Sequence, residues 1–252
     1  MAKVIGKAGQ YVEEQSIKKS QRSVLICLVA MAVCGLGSGF FLAAAVFRWG
    51  KPWLSIPVLL AIAVVIYFGN KWFTKKVDVL DRERIAFRKG AVGEGLIAGI
   101  LEGLPDGYTV LNDLTTPSGN LDHVVVGPNG IFVIDTKNWK GTVTSDGNGE
   151  LLLNGKPTTK PEVKNLVRTV MAIRERITAV CQREYFIKAI LAFPTARVEA
   201  RWGSIKTVDC VTDEALTNYI TQHNSGSKLS AQEIDRVARA FSGLAKMDSE
   251  VK

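Results

Sequence analysis

The sequence predicts an α/β protein in which a two-helix transmembrane hairpin precedes a mixed-sheet α/β domain. Two observations carry this prediction: two long uncharged apolar stretches near the amino terminus, and β-branched segments that alternate with helical patterns after them. A length of 252 residues allows one ordinary domain with appendages or two small ones. The four cysteines have no Cys-x-x-Cys spacing, so we expect reduced structural thiols of a cytosolic setting.

The basic excess of the chain is concentrated beside the apolar stretches. The formal net charge is +8, and residues 1–22 carry +3, residues 48–52 carry +2 and residues 71–90 carry +4. Residues 91–252 are left with −1. Because an excess of basic residues marks the cytoplasmic side of a membrane span, this distribution indicates membrane topology before it indicates nucleic-acid binding.

The two apolar stretches are residues 23–47 and residues 53–69, and neither contains a charged side chain. A membrane-spanning helix needs about 20 apolar residues, so both stretches qualify and the second is short. Only five residues, 48–52, connect them, which predicts a helical hairpin. The flanking lysines and arginines then predict that both termini are cytoplasmic in a multi-pass protein of a bacterial-type inner (plasma) membrane.

Two features of the first apolar stretch leave alternatives open. Gly35 and Gly39 form a Gly-x-x-x-Gly pair, which predicts close helix packing either inside the hairpin or across a homodimer. The alanines at residues 43–45 resemble a signal-peptide cleavage site, but the apolar run is far longer than the ~7–15 residues of a signal peptide.

The chain divides into five predicted segments: a cytoplasmic tail at 1–22, the transmembrane hairpin at 23–70, a juxtamembrane helix or linker at 71–90, an α/β domain at 91–222, and a carboxy-terminal helix with its tail at 223–252. Within the last two segments the pattern predicts a helix at 93–104, strands at 108–114, 121–126 and 131–136, a small hairpin at 151–155, a helix at 161–181, strands at 186–193 and 205–211, and helices at 213–222 and 230–246.

The strands at 121–126 and 131–136 flank a Gly-Pro-Asn-Gly turn, which predicts a β-hairpin. If the four turn residues form the loop, Val126 faces Ile131 and Asp122 faces Asp135, with Lys137 on the same face of the sheet. Opposed like charges destabilise a sheet, so two carboxylates at the end of an apolar hairpin favour a divalent cation between them. Two carboxylates beside an open edge suit Mg²⁺, which keeps several waters.

Three sequence blocks in this region together resemble the nuclease-related domain (NERD) family, which is placed among PD-(D/E)XK nuclease-like folds. They are the Gly-x-x-Gly-Glu of residues 90–94, the Leu-Asp-His-Val-Val-Val of residues 121–126 and the Gly-Ile-Phe-Val-Ile-Asp-Thr-Lys-Asn-Trp-x-Gly of residues 130–141. The resemblance covers about residues 88–195. It implies that the mixed-sheet domain is restriction-endonuclease-like.

The resemblance also implies a set of site residues. Asp122 and Asp135 would bind Mg²⁺ or Mn²⁺, with the backbone carbonyl of Thr136 as a further ligand. Glu94 would be an outer acid, counted among both the metal-binding and the catalytic residues. Lys137 would orient the attacking water or stabilise the charge that develops on the phosphate. The structural alternatives are a salt-bridged cluster at a sheet edge and, for Glu94, a first-turn acid that complements a helix dipole.

The helix predicted at 161–181 departs from the family pattern, since Lys164 occupies a position where the family often has Gln. Lys160, Lys164 and Arg168 recur every four residues and form one basic stripe, for which we weigh phosphate contact against a solvated helix face. His123 should point to the opposite sheet face from Asp122, which favours a core histidine over a metal ligand.

The resulting functional hypothesis is a membrane-anchored, cytoplasm-facing nuclease that hydrolyses DNA phosphodiester bonds with a metal-activated water. The alternative is a catalytically inactive, membrane-tethered module of the same fold that binds nucleic acid or acts as a scaffold. A third possibility is a membrane assembly factor that dimerises through its hairpin. The near-neutral charge of residues 91–252 gives limited support to strong nonspecific nucleic-acid binding.

Overall fold

The computed structural model describes residues 1–9, 55–117, 119–200, 208–223 and 228–250, together with scattered positions between residues 14 and 39. Two units emerge from the contacts within the chain. One unit combines Met1–Val12 with Lys89–Lys252, and the other is Glu13–Arg88. The first unit contains the α/β domain.

Among the described residues, no helix is both long enough and apolar enough to cross a membrane. The predicted multi-pass localisation is therefore wrong. The predicted second span is not a separate helix, because helix α1 (Ser55–Glu102) continues without a break from the apolar stretch into the charged segment. Its uncharged part ends at Asn70, before Lys71, and is shorter than the ~20 residues that a span requires.

Other parts of the hairpin prediction fall mainly outside the described residues. The loop at 48–52, the alanines at 43–45 and most of residues 31–47 are among these. Gly35 and Gly39 are described, and no heavy atom of the described residues lies within 4 Å of a Cβ built at either position. The predicted homodimer contact receives no support from the described residues.

The first unit is built on a six-stranded mixed sheet with the order β1-β2-β3-β4-β8-β10. Strands β2, β3 and β4 are antiparallel, whereas β4, β8 and β10 are parallel, and β1 joins β2 in parallel. The strands are β1 (Lys3–Ile5), β2 (Thr109–Thr116), β3 (Gly119–Gly127), β4 (Gly130–Thr136), β8 (Ile187–Phe193) and β10 (Val208–Thr212).

A small four-stranded sheet and three helices complete this unit. The small sheet has the order β7-β6-β5-β9 and consists of β5 (Thr142–Ser145), β6 (Leu151–Leu153), β7 (Lys156–Pro157) and β9 (Arg197–Val198). The helices are α2 (Glu162–Cys181), α3 (Asp213–Gln222) and α4 (Ala231–Glu250). A capping box begins α4, since Ser230 N–H donates to Glu233 Oε2 at 2.9 Å and Glu233 N–H donates to Ser230 Oγ at 3.4 Å.

Both faces of the main sheet are buried, which explains the near-continuous apolar strands. Val124, Val126 and Val133 belong to a core cluster that includes apolar side chains of α2 and α4. Val125 and Phe132 belong to a second cluster with the carboxy-terminal part of α1 and with α3. The alternation of side chains along β3 and β4 therefore assigns each residue of these strands to one of two cores.

The register of the β3–β4 hairpin is the predicted one. Val126 pairs with Ile131, and the ladder continues to His123 opposite Ile134. The next residues outward are Asp122 and Asp135, and the N–H of Thr136 donates to Asp122 Oδ2 at 2.7 Å. The end of the hairpin therefore holds Asp122 against β4.

Strand β1 lies in the segment for which the sequence suggested only a tail. Lys3 pairs with Thr109 and Ile5 with Leu111, and the N–H of Ala2 donates to the carbonyl of Leu104 at 2.9 Å. Gly6 then turns the chain with φ +82°, and a Cβ at this position would lie 2.5 Å from the carbonyl oxygen of Asn112. The amino-terminal residues are thus an integral part of the main sheet.

We expect Gly6→Ala to lower the free energy of unfolding by about 2–3 kcal/mol, because it combines left-handed backbone strain with a clash against β2. Gly147→Ala is the matched control, since its φ of +78° carries similar strain and no heavy atom lies within 4 Å of its Cβ. It should cost about 1–2 kcal/mol. Urea unfolding of both variants measures the difference, and equal losses would contradict the docking of β1.

Candidate functional site

Lys137 follows the last residue of β4 and lies between two carboxylates. Its Nζ is 2.8 Å from Asp135 Oδ2 and 3.1 Å from Glu162 Oε2. Its backbone N–H donates to the carbonyl of Ala192 on β8 at 2.8 Å, so the start of the side chain is fixed by the sheet. Burial lowers the pKa of Lys137, but Asp135 and Glu162 outweigh it and raise the pKa above its ordinary value. The ammonium group therefore stays protonated around neutral pH.

Glu94 reaches the same region from α1. The residue is only 6% exposed. Its pKa is raised to about 7, chiefly by burial and further by the negative charges of Asp113 and Asp135, whereas Lys137 and the backbone N–H of Gly9 oppose the rise. Within the described part of the chain, its Oε2 is buried and has no hydrogen-bond partner.

Asp122 experiences the same electrostatic environment. Burial raises its pKa well above the ordinary value, and the charges of Asp135 and Glu94 raise it further. The N–H of Thr136 and the charge of Lys137 work in the opposite direction without cancelling these effects. The site thus combines four carboxylates, those of Glu94, Asp122, Asp135 and Glu162, with one ammonium group, a charge balance that favours binding of an added cation.

A cavity of about 130 Å³ lies beside these residues. One side is formed by the ends of β3 and β4, and the other by one face of α2. The lining residues are Asn120, Leu121, Asp122, Val133, Ile134, Asp135, Lys137, Glu162, Asn165, Leu166 and Thr169. Its volume has room for a few waters or a hydrated ion.

The number of side chains that could bind a metal ion at this site is small. In the part of the chain that the structure describes, no group of three or more His, Cys, Asp or Glu side chains is arranged to hold a metal. Asp122 and Asp135 form a pair, and Glu94 acts on both through its charge. Two carboxylates fit Mg²⁺, because this ion commonly binds one or two carboxylates and keeps several waters.

The predicted basic stripe lies beside this cavity but not in it. Lys160, Lys164 and Arg168 are exposed, and none of them lines the cavity. Arg168 Nη2 lies 3.4 Å from Asn165 Oδ1, so one member of the stripe contacts a lining residue.

His123 is a core residue, as the alternation of side chains predicts. It is fully buried, with Nδ1 2.8 Å from Asn112 Oδ1 on β2. Burial lowers its pKa to about 3, so the imidazole is neutral at physiological pH.

Sequence reasoning missed two acidic residues, Glu162 and Asp113. The signal for Glu162 was present, because residues 162, 165, 166 and 169 share one helical face by their i, i+3, i+4, i+7 spacing. Asp113 has φ +56°, accepts a hydrogen bond from the Asn120 amide at 3.0 Å and raises the pKa of Glu94. No sequence pattern indicates that this residue lies near the site.

A second cavity of about 570 Å³ lies at the opposite end of the parallel strands, where β8 and β10 begin. Its charged groups are already paired, since Lys188 Nζ lies 2.8 Å from Asp209 Oδ2 and the Tyr219 hydroxyl donates to the same oxygen. Tyr219 and His223 stack with their ring centroids 4.9 Å apart. The other carboxylate oxygen of Asp209, Oδ1, is buried and has no hydrogen-bond partner within the described residues.

The mixed α/β sheet, which brings two aspartates, a lysine and a buried glutamate into one region, fits a nuclease-like domain. Residues 89–194 match the family model of the nuclease-related domain, NERD. The match covers less than half of the chain and is consistent with the NERD family, which is placed in the PD-(D/E)XK-like nuclease superfamily.

The similarity to a curated relative is more limited. An uncharacterized protein of Bacillus anthracis is 39% identical over 61 residues, which cover 22% of this chain and 29% of that protein. The chain therefore matches less than a third of the length of that relative. No solved structure matches the chain.

The raised pKa of Glu94 predicts a pH-dependent stability. The native state holds the proton more tightly than the unfolded state, so the free energy of unfolding should fall by up to about 3 kcal/mol as the pH rises from about 4.5 through about 7. Glu94→Gln should reduce this fall, whereas Glu102→Gln at an exposed position of α1 should retain it. Urea unfolding between pH 4.5 and 8 measures the effect, and identical profiles for Glu94→Gln and the native protein would contradict it.

Proposed function

We propose that the domain containing residues 89–194 hydrolyses phosphodiester bonds of DNA in a divalent-metal-dependent reaction. The observation that carries the proposal is the placement of Asp122, Asp135 and the Lys137 ammonium group at one strand end, beside a polar cavity. The family match supports it, because the matched residues include all three side chains. Mg²⁺ or Mn²⁺ is the proposed cofactor.

Asp122 and Asp135 would hold the cation, together with the backbone carbonyl of Thr136. The cation would lower the pKa of a bound water and neutralise charge on the phosphate. Burial is the largest cause of the raised pKa values of Asp122 and Glu94, and repulsion from neighbouring carboxylates raises them further. That repulsion supports this assignment, because a positive charge would relieve it. Glu94 Oε2 is buried without a hydrogen-bond partner among the described residues, and we assign it to accept a hydrogen bond from an ordered water of the site.

Lys137 would act on the phosphate itself. Its ammonium group has three donors, and contacts to Asp135 and Glu162 leave one that can be directed at a phosphate oxygen. A protonated lysine placed where negative charge develops lowers the barrier without proton transfer. Because neighbouring carboxylates raise its pKa, this group stays charged over the working pH range.

Contacts to the nucleic-acid backbone are assigned to Lys160, Lys164 and Arg168. These exposed side chains belong to α2 or precede it, and the same helix lines the cavity. Residues 91–252 carry a net charge of only −1, so attraction to the polyanion would be local rather than general.

A second candidate function is a nuclease fold without catalysis, which binds nucleic acid or serves as a scaffold. The observation in its favour is that no three potential metal-ligating side chains cluster within the described residues. The two functions differ in one property, because only the first includes metal-dependent cleavage.

The purified protein is expected to cleave DNA in the presence of Mg²⁺ or Mn²⁺ and to stop when EDTA is added. Asp135→Ala should slow single-turnover cleavage by about 10²–10³-fold, since it removes a proposed ligand and a partner of Lys137. Glu102→Ala, at an exposed position of α1, serves as the control and should cleave at the native rate. Equal cleavage by Asp135→Ala would exclude the proposed site, and a native protein that binds DNA without cleaving it would favour the second function.

The triple variant Lys160→Ala/Lys164→Ala/Arg168→Ala should bind DNA more weakly than the native protein. If all three side chains contact phosphates, the slope of log Kd against log salt should fall by about 2–3. Fluorescence anisotropy with a labelled duplex measures the slope, with Lys228→Ala at another exposed position as the control. An unchanged slope would assign the stripe to the solvated surface.

A further inference from the structure

Glu162 is the first residue of α2, but its carboxylate does not cap that helix. The N–H groups of Val163 and Lys164 donate to the two carboxylate oxygens of Glu150, at 3.2 and 2.9 Å. Pro161, which precedes the helix, provides no side-chain cap. Glu150 therefore performs the capping that a first-turn acid would otherwise supply, and the Glu162 carboxylate is directed to Lys137 instead.

The contact between Glu162 and Lys137 is well shielded. The Lys137 side chain is 19% exposed and that of Glu162 is 14% exposed, with 3.1 Å between Nζ and Oε2. Both residues line the cavity. An ion pair in this environment is screened less by solvent than a surface pair, so it can hold a side chain in one geometry.

Lysine needs such a constraint, because its ammonium group sits on a flexible four-carbon stem. Asp135 supplies one contact from β4, and Glu162 supplies a second from α2. Two acceptors on different elements define the direction of the third ammonium donor, which one acceptor cannot do. In the proposed function Asp135 is shared with the cation, whereas Glu162 contacts Lys137 without that competing role.

We propose that Glu162 is a positioning residue, which holds the Lys137 ammonium group in its productive orientation toward the phosphate. This role rests on the proposed function and extends it to a residue outside the aspartate and lysine motif. Glu162 acts through Lys137 and makes no contact with the substrate.

Two other roles for Glu162 predict different results. An acid that only complements the dipole of α2 would change stability but not cleavage. An acid that only adds negative charge near DNA would, when removed, strengthen DNA binding and leave cleavage unchanged or faster. A positioning residue instead predicts slower cleavage at undiminished DNA binding.

The test compares Glu162→Ala, Glu162→Gln and Glu175→Ala in the full chain. Glu175 is exposed on the same helix, so its removal makes the same charge change away from the site. We expect Glu162→Ala to slow single-turnover DNA cleavage about 10–100-fold, with a Kd for DNA equal to or lower than that of the native protein. Glu162→Gln keeps an acceptor oxygen and should lose less, and Glu175→Ala should match the native rate.

A cycle with Lys137→Ala tests whether Glu162 acts through Lys137. Adding Glu162→Ala to Lys137→Ala should change residual cleavage by less than about twofold, because the two residues act as a unit. Thermal unfolding gives a second cycle that does not depend on activity. Glu162→Ala should lower Tm in the native background by at least about 2 °C more than in the Lys137→Ala background.

The outcomes separate this inference from the proposed function. If the native protein does not cleave DNA with Mg²⁺ or Mn²⁺, the proposed function fails and the positioning role fails with it. If the native protein cleaves and Glu162→Ala cleaves equally fast, the positioning role alone is overturned. Additive losses in both cycles would likewise overturn it, since Glu162 would then act independently of Lys137.

Discussion

The ammonium group of Lys137 is the positive charge around which the acidic site is organised. It contacts Asp135 at 2.8 Å and Glu162 at 3.1 Å, and its charge also lowers the pKa values of Glu94 and Asp122. Carboxylates this close together repel one another, and burial strengthens that repulsion. Burial is the largest cause of the raised pKa values of Glu94 and Asp122, and neighbouring carboxylates raise them further although Lys137 lowers them, so one lysine does not balance these charges. The remaining imbalance is the physical basis for proposing a divalent cation.

The scaffold determines which carboxylates meet. Asp122 and Asp135 lie just beyond the last recorded pair of an antiparallel ladder, Glu94 comes from the end of α1, and Glu162 comes from the first turn of α2. The amino-terminal residues also take part, since β1 extends the sheet and Gly9 N–H lowers the pKa of Glu94. Residues outside the matched segment 89–194 therefore contribute to the environment of the site.

Charge and hydropathy patterns correctly indicated local secondary structure but wrongly predicted a multi-pass membrane localisation. The basic flanks and apolar stretches predicted two membrane spans, yet the described part of the chain contains no helix able to cross a membrane. The apolar residues after Ser55 begin a 48-residue helix that continues through the charged segment. Hydropathy averaged over a sequence window does not indicate where a helix ends. The predicted membrane span therefore differs from the helix that the structure shows.

The sequence by itself determined five of the six strands of the main sheet, the helices that follow them, the hairpin register that brings Asp122 to Asp135, and the core position of His123. These features depend on local periodicity and on one tight turn, and both are patterns of residues that are consecutive in the sequence. Only the tertiary structure decided that β1 joins the sheet, that Asp113 raises the pKa of Glu94, and that Glu162 holds Lys137 while Glu150 caps α2. These contacts join residues distant in the chain, and such contacts depend on packing rather than on periodicity.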